Sequence, residues 1–258
     1  MHVVTSGVAR RPRAYVRVSG PDAEDYLQRM VSNDVAAGEV CDALLLTAKA
    51  RVIAPVRVWR RGDSDFLLLT EPELGEVVRS TLVRSRFAAR CEIELEEHSS
   101  AIVFGAAEGI PNGDYGVPAV EVLDEPLEST VGDDELELLR IRAGTPRFGR
   151  EIDDRVLPAE AGLVHRAVSF TKGCYPGQEP IARLHYRGHA NRGLRVLTWE
   201  GDELPEYDAP VLFEDKDVGR VTSAARDDGR VVALAYVRAE VPPDTVLAVG
   251  TAEARPLD

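Results

Sequence analysis

Cysteine is scarce in this sequence, and the few cysteines are widely separated. Cys41, Cys91 and Cys174 are the only three among 258 residues, and no two of them form a CxxC pair. An odd number of scattered thiols argues against a secreted disulfide framework and against a four-cysteine metal or cluster site within one chain. We therefore expect a reducing, cytoplasmic compartment and no resident metal.

Long apolar runs and an excess of positive charge are also missing. No stretch approaches the roughly 18 apolar residues that predict a membrane span. Residues 1–13 contain arginines but no apolar core, unlike a secretory signal. The 31 Lys and Arg against 44 Asp and Glu give a net charge of −13. Such a field disfavours anionic membranes and extended nucleic acid as partners, although a local basic patch remains possible.

Familiar catalytic motifs are absent as well. The sequence has no GxGxxG, P-loop, HExxH or GxSxG pattern in a suitable context, which argues against dinucleotide chemistry, NTP hydrolysis, zinc peptidases and serine hydrolases. What is present is an ordinary globular composition, 44% hydrophobic and 29% charged. A chain of this length can bury a large core without a disulfide or metal.

Apolar periodicity predicts an α+β front part and an all-β end. Helical spacing predicts helices at 21–31, around 74–82 and at 133–143. Apolar runs predict strands at 43–47, 52–59, 66–70, 91–95, 101–104 and 119–123. After about residue 193 the chain turns to short strands at 196–199, 211–213, 218–222 and 231–237. Asp228-Gly229 is a hairpin signal between the last two, and a module of this size suits a small barrel or sandwich.

The segment with the clearest chemical potential is Thr171-Lys-Gly-Cys-Tyr-Pro-Gly-Gln-Glu179. Its Tyr-Pro-Gly-Gln portion fits a type II turn, with Pro at the second position and Gly at the third. Cys174 is therefore expected on a loop, where the nearby cation of Lys172 could favour the thiolate. The candidate bases are His165, His185 and His189. The alternative is a buried cysteine in a turn that only joins two elements.

Three other charged features are candidate binding groups. Residues 183–192 are locally basic and partly alternate, which predicts a strand whose charged face could bind a carboxylate, a phosphate or an RNA backbone. Arg140 and Arg142 are two residues apart on a predicted helix, so at most one of them faces a given pocket. Asp34 follows the first helix, where the dipole disfavours an anion. The alternative for each is a solvated surface or turn residue.

Together these residues resemble the YgfZ-type folate-binding proteins, which are relatives of the glycine cleavage T-protein. The run from Lys172 to Glu179 looks like their signature. Further similar blocks follow in the same order, at 18–23, 26–28, 32–35, 46–52, 139–146, 219–223 and 233–237. The resemblance implies a T-protein-like folate-binding body over residues 1–190 and a small C-terminal β-barrel over residues 191–258.

The resemblance also implies a cofactor and a role. The cofactor is tetrahydrofolate or a derivative, held in the centre of the body, with Asp34 against the pterin and with Arg140 and Glu179 in the folate site. Cys174 is the functional thiol, with Lys172 beside it. The implied role is support of iron–sulfur cluster assembly or repair, with cluster enzymes, including tRNA-modifying ones, as clients, and not conventional catalysis.

Two other functions stay open from the sequence. One is a tetrahydrofolate-dependent aminomethyltransferase that takes its group from a lipoyl carrier. The other is a binding module for RNA or protein that has lost folate. Three positions depart from the family pattern, and one of them is Arg142, which stands where an acidic or small residue is common. Ala50 stands where Gly is usual and would be strained if the turn needs a positive φ, and Pro180 is expected to push Glu179 out of helical conformation.

Overall fold

Within residues 6–257, which the computed structural model describes, the front part of the chain is mixed α and β. Its strands are β1 (Gly7–Arg10), β2 (Ala14–Ser19), β3 (Val40–Leu46), β4 (Val52–Gly62), β5 (Asp65–Thr70), β6 (Glu92–Glu96), β7 (Ser100–Phe104), β8 (Ile110–Asn112) and β9 (Ala119–Leu123). Its helices are α1 (Ala23–Met30), α2 (Gly75–Ser85, after a 3₁₀ turn at Pro72–Leu74), α3 (Asp133–Arg142), α4 (Val164–Ala167) and α5 (Gln178–Arg187). None of these helices combines the length and the apolar character needed to cross a membrane.

A five-stranded antiparallel sheet, in the order β3-β4-β5-β2-β6, carries the first core. Helix α1 forms because Ala23, Tyr26 and Leu27 recur at helical spacing, and all three are buried in that core. The Tyr26 hydroxyl donates to the Leu82 carbonyl at 2.5 Å and so joins α1 to α2. The helix predicted at 21–31 is confirmed, with ends that differ by one or two residues.

A second sheet has four antiparallel strands in the order β1-β7-β9-β8. Helix α3 packs its apolar side against this sheet, where Leu139 joins Ile102 and Phe104 in a small core. Arg140, the next residue on α3, is also buried and points to a different neighbour, as the spacing of adjacent helix positions requires. The sheet, α3 and the first sheet together surround the centre of the body.

The end of the chain closes into a six-stranded barrel, in the order β10-β13-β12-β11-β14-β15. Its strands are β10 (Arg192–Glu200), β11 (Pro210–Phe213), β12 (Lys216–Asp227), β13 (Arg230–Arg238), β14 (Leu247–Val249) and β15 (Ala252–Pro256). Asp228 and Gly229 have φ angles of 47° and 78°, the left-handed values that a two-residue hairpin turn needs. The predicted α+β body with a C-terminal β-barrel is confirmed, while the exact boundary between residues 190 and 191 stays a prediction.

One sequence-based expectation is wrong: residues 183–192 do not form a strand with a charged face. Half of them, residues 183–187, belong to α5, and only the last residue begins β10. Ile181 is buried and Leu184, three residues later, is half-buried, which is the spacing of a helix, whereas the polar alternation suggested a period of two. Pro180 does not unwind Glu179 either. It is the third residue of α5, in the first turn, where a missing N–H breaks no helical hydrogen bond.

A buried ion-pair network joins the body to the barrel through α3. The Arg140 guanidinium donates to both carboxylate oxygens of Glu137, to Glu151 at 3.0 Å, to the Thr145 carbonyl and to Ser223 on β12 at 2.8 Å. Ser223 in turn donates to the other oxygen of Glu151 at 2.6 Å. All five N–H groups of Arg140 are therefore used inside the protein.

Replacing Arg140 with Ala is expected to lower the free energy of unfolding by about 3 kcal/mol, because the fully buried Glu151 would lose its cation. Urea denaturation followed by circular dichroism measures the loss. The matched control is Arg79→Ala, since Arg79 pairs with Glu76 on the exposed face of α2. That change should cost much less, because water screens an exposed ion pair, and equal losses for the two variants would contradict the stabilising role of the Arg140 network.

Candidate functional site

A cavity of about 580 Å³ lies in the centre of the body, between the two sheets, α3 and the barrel. Its apolar wall comes mainly from Leu44, Pro55, Val56, Leu69, Tyr115, Leu136, Ile152 and Leu163. Eight arginines also line it: Arg10, Arg11, Arg13, Arg57, Arg140, Arg147, Arg150 and Arg166. The carboxylates are Asp42, Glu71, Asp114, Asp133, Asp134 and Glu137. An apolar slot bordered by this many charges suits a flat ligand with polar edges and an anionic end.

Four of these side chains form one connected network. Arg57 donates to Asp42 at 2.9 Å and to Asp114 at 3.1 Å. Arg166, on α4, donates to the same two carboxylates at 2.7 and 2.5 Å. The pairing of β3 with β4 places Asp42 directly opposite Arg57. The network therefore connects the first sheet, the loop after β8 and α4 at the cavity wall.

Asp114 in this network and the neighbouring Glu121 keep their negative charges over the physiological pH range. Burial alone would raise the pKa of Asp114, but Arg57, Arg166 and Arg13 outweigh burial and hold it well below its usual range. Glu121 behaves in the same way: it is buried, yet its bidentate pair with Arg13, at 2.9 and 3.0 Å, lowers its pKa. Both carboxylates therefore remain ionised.

One nitrogen of the network has no partner. Arg57 is only 5% exposed, and its Nη1 forms no hydrogen bond with any residue among 6–257. A carboxylate oxygen of Glu121 is 3.9 Å away, which is too far for a hydrogen bond. Buried polar groups are nearly always hydrogen-bonded. Arg57 lines the cavity, and its Nη1, itself covered from solvent, is the group of this network that still lacks an acceptor.

The Cys174 loop is held in place by a turn against the β3–β4 hairpin. Gly177 has φ 83° and ψ 1°, and the Gln178 N–H donates to the Tyr175 carbonyl, as a type II turn requires. A Cβ at Gly177 would lie 2.7 Å from the Thr47 carbonyl oxygen, so only glycine fits there. Ala50, in the β3–β4 turn that faces Gly177, has a φ of 59°. The turn therefore does need a positive φ at this position, the condition under which Ala50 was expected to be strained. Cys174 itself is exposed on the loop.

Lys172 fastens the same loop to the end of α1. Its Nζ donates to the carbonyls of Val31 and Asn33, both at 2.7 Å. Burial lowers the pKa of Lys172 to about 8, and the charges that act in the opposite direction belong to Asp34 and Cys41. Lys172 therefore positions the loop, and its action on Cys174 stays a prediction.

The residues expected at the site divide into two groups. Only Arg140 lines the cavity, and all of its N–H groups are occupied. Asp34 lies by the Lys172 loop, where its Oδ1 accepts from Gln28 at 2.5 Å and from the Ala36 N–H at 3.0 Å. Glu179 is exposed in the first turn of α5. Cys174, Lys172 and Asp34 thus belong to one region, outside the residues that line the cavity.

Sequence reasoning missed the cavity network itself. Arg57 and Asp42 each carried a signal, namely a charged residue inside an otherwise apolar strand. That signal does not identify the partners, because Asp114 lies in a loop and Arg166 in a helix, both far away in the sequence.

Arg166 and Cys174 are eight residues apart in the sequence. Eight residues can span at most about 28 Å, so the exposed thiol lies within that distance of the cavity wall at Arg166.

We expect one fast thiol in the folded protein. Burial raises the pKa of Cys41 to about 12 and also raises that of Cys91, whereas Cys174 is exposed. Thiolate is the reactive form, so Ellman's reagent should titrate one thiol rapidly and all three in denaturant. Cys174→Ser should remove the fast phase and Cys41→Ser should leave it; the reverse result would contradict the assignment.

Comparison with known proteins follows the same division between sequence and fold. No family model matches the chain. The tRNA-modifying protein YgfZ of Klebsiella pneumoniae is 24% identical over 285 residues, covering 92% of this chain and 86% of the relative. YgfZ of Escherichia coli O157:H7 is 25% identical over 288 residues, with the same coverage of 92% and 86%.

The fold has a solved counterpart. The crystal structure of the glycine cleavage system aminomethyltransferase T from Bartonella henselae matches with a TM-score of 0.84 at 19% identity, covering 98% of this chain and 85% of that one. The chain is therefore similar in sequence to the YgfZ proteins and has the fold of the T-protein, which confirms the resemblance seen in the motifs.

Proposed function

We propose that this chain is a cytoplasmic tetrahydrofolate-binding accessory protein that supports the assembly or repair of iron–sulfur clusters. Its clients include cluster enzymes that modify tRNA, and its functional thiol is Cys174. The YgfZ relatives are named for tRNA modification, and the T-protein counterpart handles one-carbon groups. A fold alone does not establish a function, so the proposal depends on the chemistry of the cavity.

The observation that carries the folate part is the central cavity with its unpartnered Arg57 nitrogen. A reduced folate has a flat ring system with N–H donors and a carbonyl acceptor, joined to an acidic tail. The volume of about 580 Å³ lies in the usual range for small-molecule sites, roughly 300–1,000 Å³. Apolar walls suit the ring faces, and the free N–H of Arg57 suits the ring carbonyl.

The acidic tail needs cations that the protein itself does not neutralise. Most lining arginines are already paired with carboxylates, including Arg11, Arg13 and Arg166. Arg10 and Arg150 form no ion pair within residues 6–257, and Arg150 rests over the Tyr207 ring at 5.4 Å. We assign the tail to these two arginines, because a carboxylate gains most from a cation that has no other partner.

The folate contacts implied by the family stay predictions, and the geometry gives them different weights. Arg140 lines the cavity, but contact with a ligand would require one of its five internal hydrogen bonds to open. Asp34 and Glu179 do not line the cavity. We therefore assign the carboxylates beside the pterin ring to Asp42 and Asp114, which do.

Cys174 cannot hold a cluster by itself. Iron–sulfur clusters are usually bound by four ligands, mostly thiolates, and no group of three His, Cys, Asp or Glu side chains in residues 6–257 is arranged to hold a metal ion. The exposed thiol is therefore suited to contact with a client protein that supplies the remaining ligands. We therefore propose that the protein acts beside cluster enzymes as an accessory.

The folate assignment is tested by Arg57→Met. Isothermal titration calorimetry with folinic acid, a stable reduced folate, should show affinity at least tenfold weaker, because the ring carbonyl loses a buried charged donor. Arg17→Met is the matched control, since Arg17 is a half-exposed arginine on β2 that lies outside the cavity.

Arg57→Lys distinguishes loss of a ligand contact from loss of the fold. Lysine keeps the charge beside Asp42 and Asp114 but lacks the planar fork, so this variant should fold with a normal circular dichroism spectrum and still bind weakly. Folinic acid binding that is unchanged in both folded variants, or absent in the unaltered protein, would refute the folate site.

Cys174→Ser separates the thiol from the folate. Because Cys174 is exposed and does not line the cavity, folinic acid affinity should stay within twofold of the unaltered protein. The variant should nevertheless fail to restore the activity of iron–sulfur enzymes in bacteria that lack their own YgfZ, whereas Cys41→Ser should restore it. Full complementation by Cys174→Ser would remove the thiol from the mechanism.

The T-protein fold leaves aminomethyl transfer as the competing activity. Incubation with aminomethylated lipoyl carrier and tetrahydrofolate measures it directly, by formation of methylenetetrahydrofolate. We expect no turnover above a buffer control. A clear, enzyme-dependent rate would replace the accessory role with the aminomethyltransferase one.

A further inference from the structure

The charge of this protein is divided unevenly along the chain. Residues 161–199 contain six Lys or Arg and one acidic residue, Glu179, which gives a net charge of +5. The rest of the chain therefore carries −18 of the total of −13. Three of the five histidines also fall in this segment. A basic segment inside an acidic protein is a recognised pointer to a polyanionic partner.

The exposed face of α5 displays the free part of that charge. Arg183, Tyr186 and Arg187 are spaced i, i+3 and i+4, so they share one face of the helix, and all three are exposed. Arg183 and Arg187 form no ion pair with any residue in the described range 6–257. Glu179 lies one turn before Arg183 and is the only carboxylate on α5.

An aromatic platform accompanies these cations. The His185 ring stacks on Phe170, with centroids 4.2 Å apart and planes 23° from parallel. Tyr186 meets both rings edge-on, at 4.9 and 5.8 Å, and is itself 69% exposed. The Tyr186 ring is restrained by its two aromatic neighbours and is still open to solvent. It therefore offers a partly immobilised surface on which another flat ring can stack.

We propose that this face, made up of Phe170, Arg183, His185, Tyr186 and Arg187, binds a short single-stranded segment of RNA. Free arginines beside an exposed aromatic ring match the two needs of a single strand, which are cations for phosphates and a ring face for a base. An acidic peptide would use the arginines but would gain little from the stacked rings. Recognition of a single strand follows from the surface, whereas the choice of RNA rests on the proposed function, because the clients there include tRNA-modifying enzymes.

The surface sets a limit on the length of the strand. Beyond α5, a shallow groove of about 500 Å³ continues the basic region along His189, Asn191, Arg192 and Arg238, with Glu240 at its side. Arg192 already pairs with Glu160, and Arg238 with Glu240. The remaining surface of the chain is strongly acidic and would repel phosphates. We therefore expect only a few nucleotides to be held, and no binding along extended duplexes.

The position of this surface relates it to the thiol. Cys174 lies just before α5, and the ten-residue helix is about 15 Å long at 1.5 Å per residue. A strand on the exposed face of α5 would therefore lie beside Cys174 and away from the residues that line the folate cavity. Loss of RNA binding and loss of folate binding are consequently separable results.

Fluorescence anisotropy tests the proposal directly. The probe is a fluorescein-labelled single-stranded RNA of twelve mixed-sequence nucleotides, titrated with the full-length protein at 50 and 150 mM KCl. Binding should weaken as the salt concentration rises. The logarithm of the association constant should fall with the logarithm of the KCl concentration with a slope of about 0.7 for each of the two or so phosphates neutralised. Tyr186→Ala should weaken binding about fivefold to tenfold through lost stacking, and Arg183→Gln with Arg187→Gln should weaken it more and flatten the salt slope.

Matched controls are available at exposed positions outside α5. Phe87→Ala removes a ring that is 91% exposed after α2, and Arg84→Gln with Arg255→Gln removes the same charge from exposed positions. These controls should bind RNA and folinic acid normally, and the α5 variants should bind folinic acid normally. Absence of RNA binding at 50 mM KCl, equal losses in the controls, or equal affinity for a duplex of the same sequence would overturn the proposal.

Discussion

The central constraint in this fold is one connected network of four charges, in which Arg57 is buried and the other three side chains are half-buried. Asp42, Arg57, Asp114 and Arg166 come from β3, β4, the loop after β8 and α4, and each cation contacts both carboxylates. Removing any one member would leave its partners with an unbalanced charge. The elements that supply these residues therefore have to pack together in the folded protein, and the network determines the relative positions of the two sheets and α4.

The same constraint explains why the centre of the body remains open. Apolar side chains can collapse into a void, but ionised groups held in fixed pairs cannot move inward without losing their partners. Asp114 keeps its charge because the arginines around it outweigh its burial. A cavity with fixed charges and one unused Arg57 N–H is organised before a ligand arrives, which reduces the ordering that binding would require.

The sequence predicted those features that depend on neighbouring residues. The type II turn at Tyr175–Gln178 follows from Pro176 and Gly177, and the hairpin at Asp228-Gly229 follows from backbone preference alone. Residues 183–192 were predicted as a strand because a short polar and apolar alternation fits the two-residue period of a strand as well as the 3.6-residue period of a helix. Only the buried side chains distinguish the two. The cavity network lay beyond sequence reasoning for a different reason. Arg57 gains its partners from strand register and from a loop some 57 residues away, and neither is a local property.

The segment from α4 to α5 relates the separate sites physically. It begins with Arg166 at the cavity wall, passes through the Ser169 N–H bonded to the Ser32 carbonyl, and is fastened at Lys172 to the end of α1. It then presents Cys174, makes the turn at Gly177 against the β3–β4 hairpin, and continues into α5. A ligand that altered the contacts of Arg166 would therefore act on the same chain segment that carries the thiol eight residues later. Because this segment is fastened at Lys172 and Gly177, a change at Arg166 would reach Cys174 only by displacing the bonded turn between them.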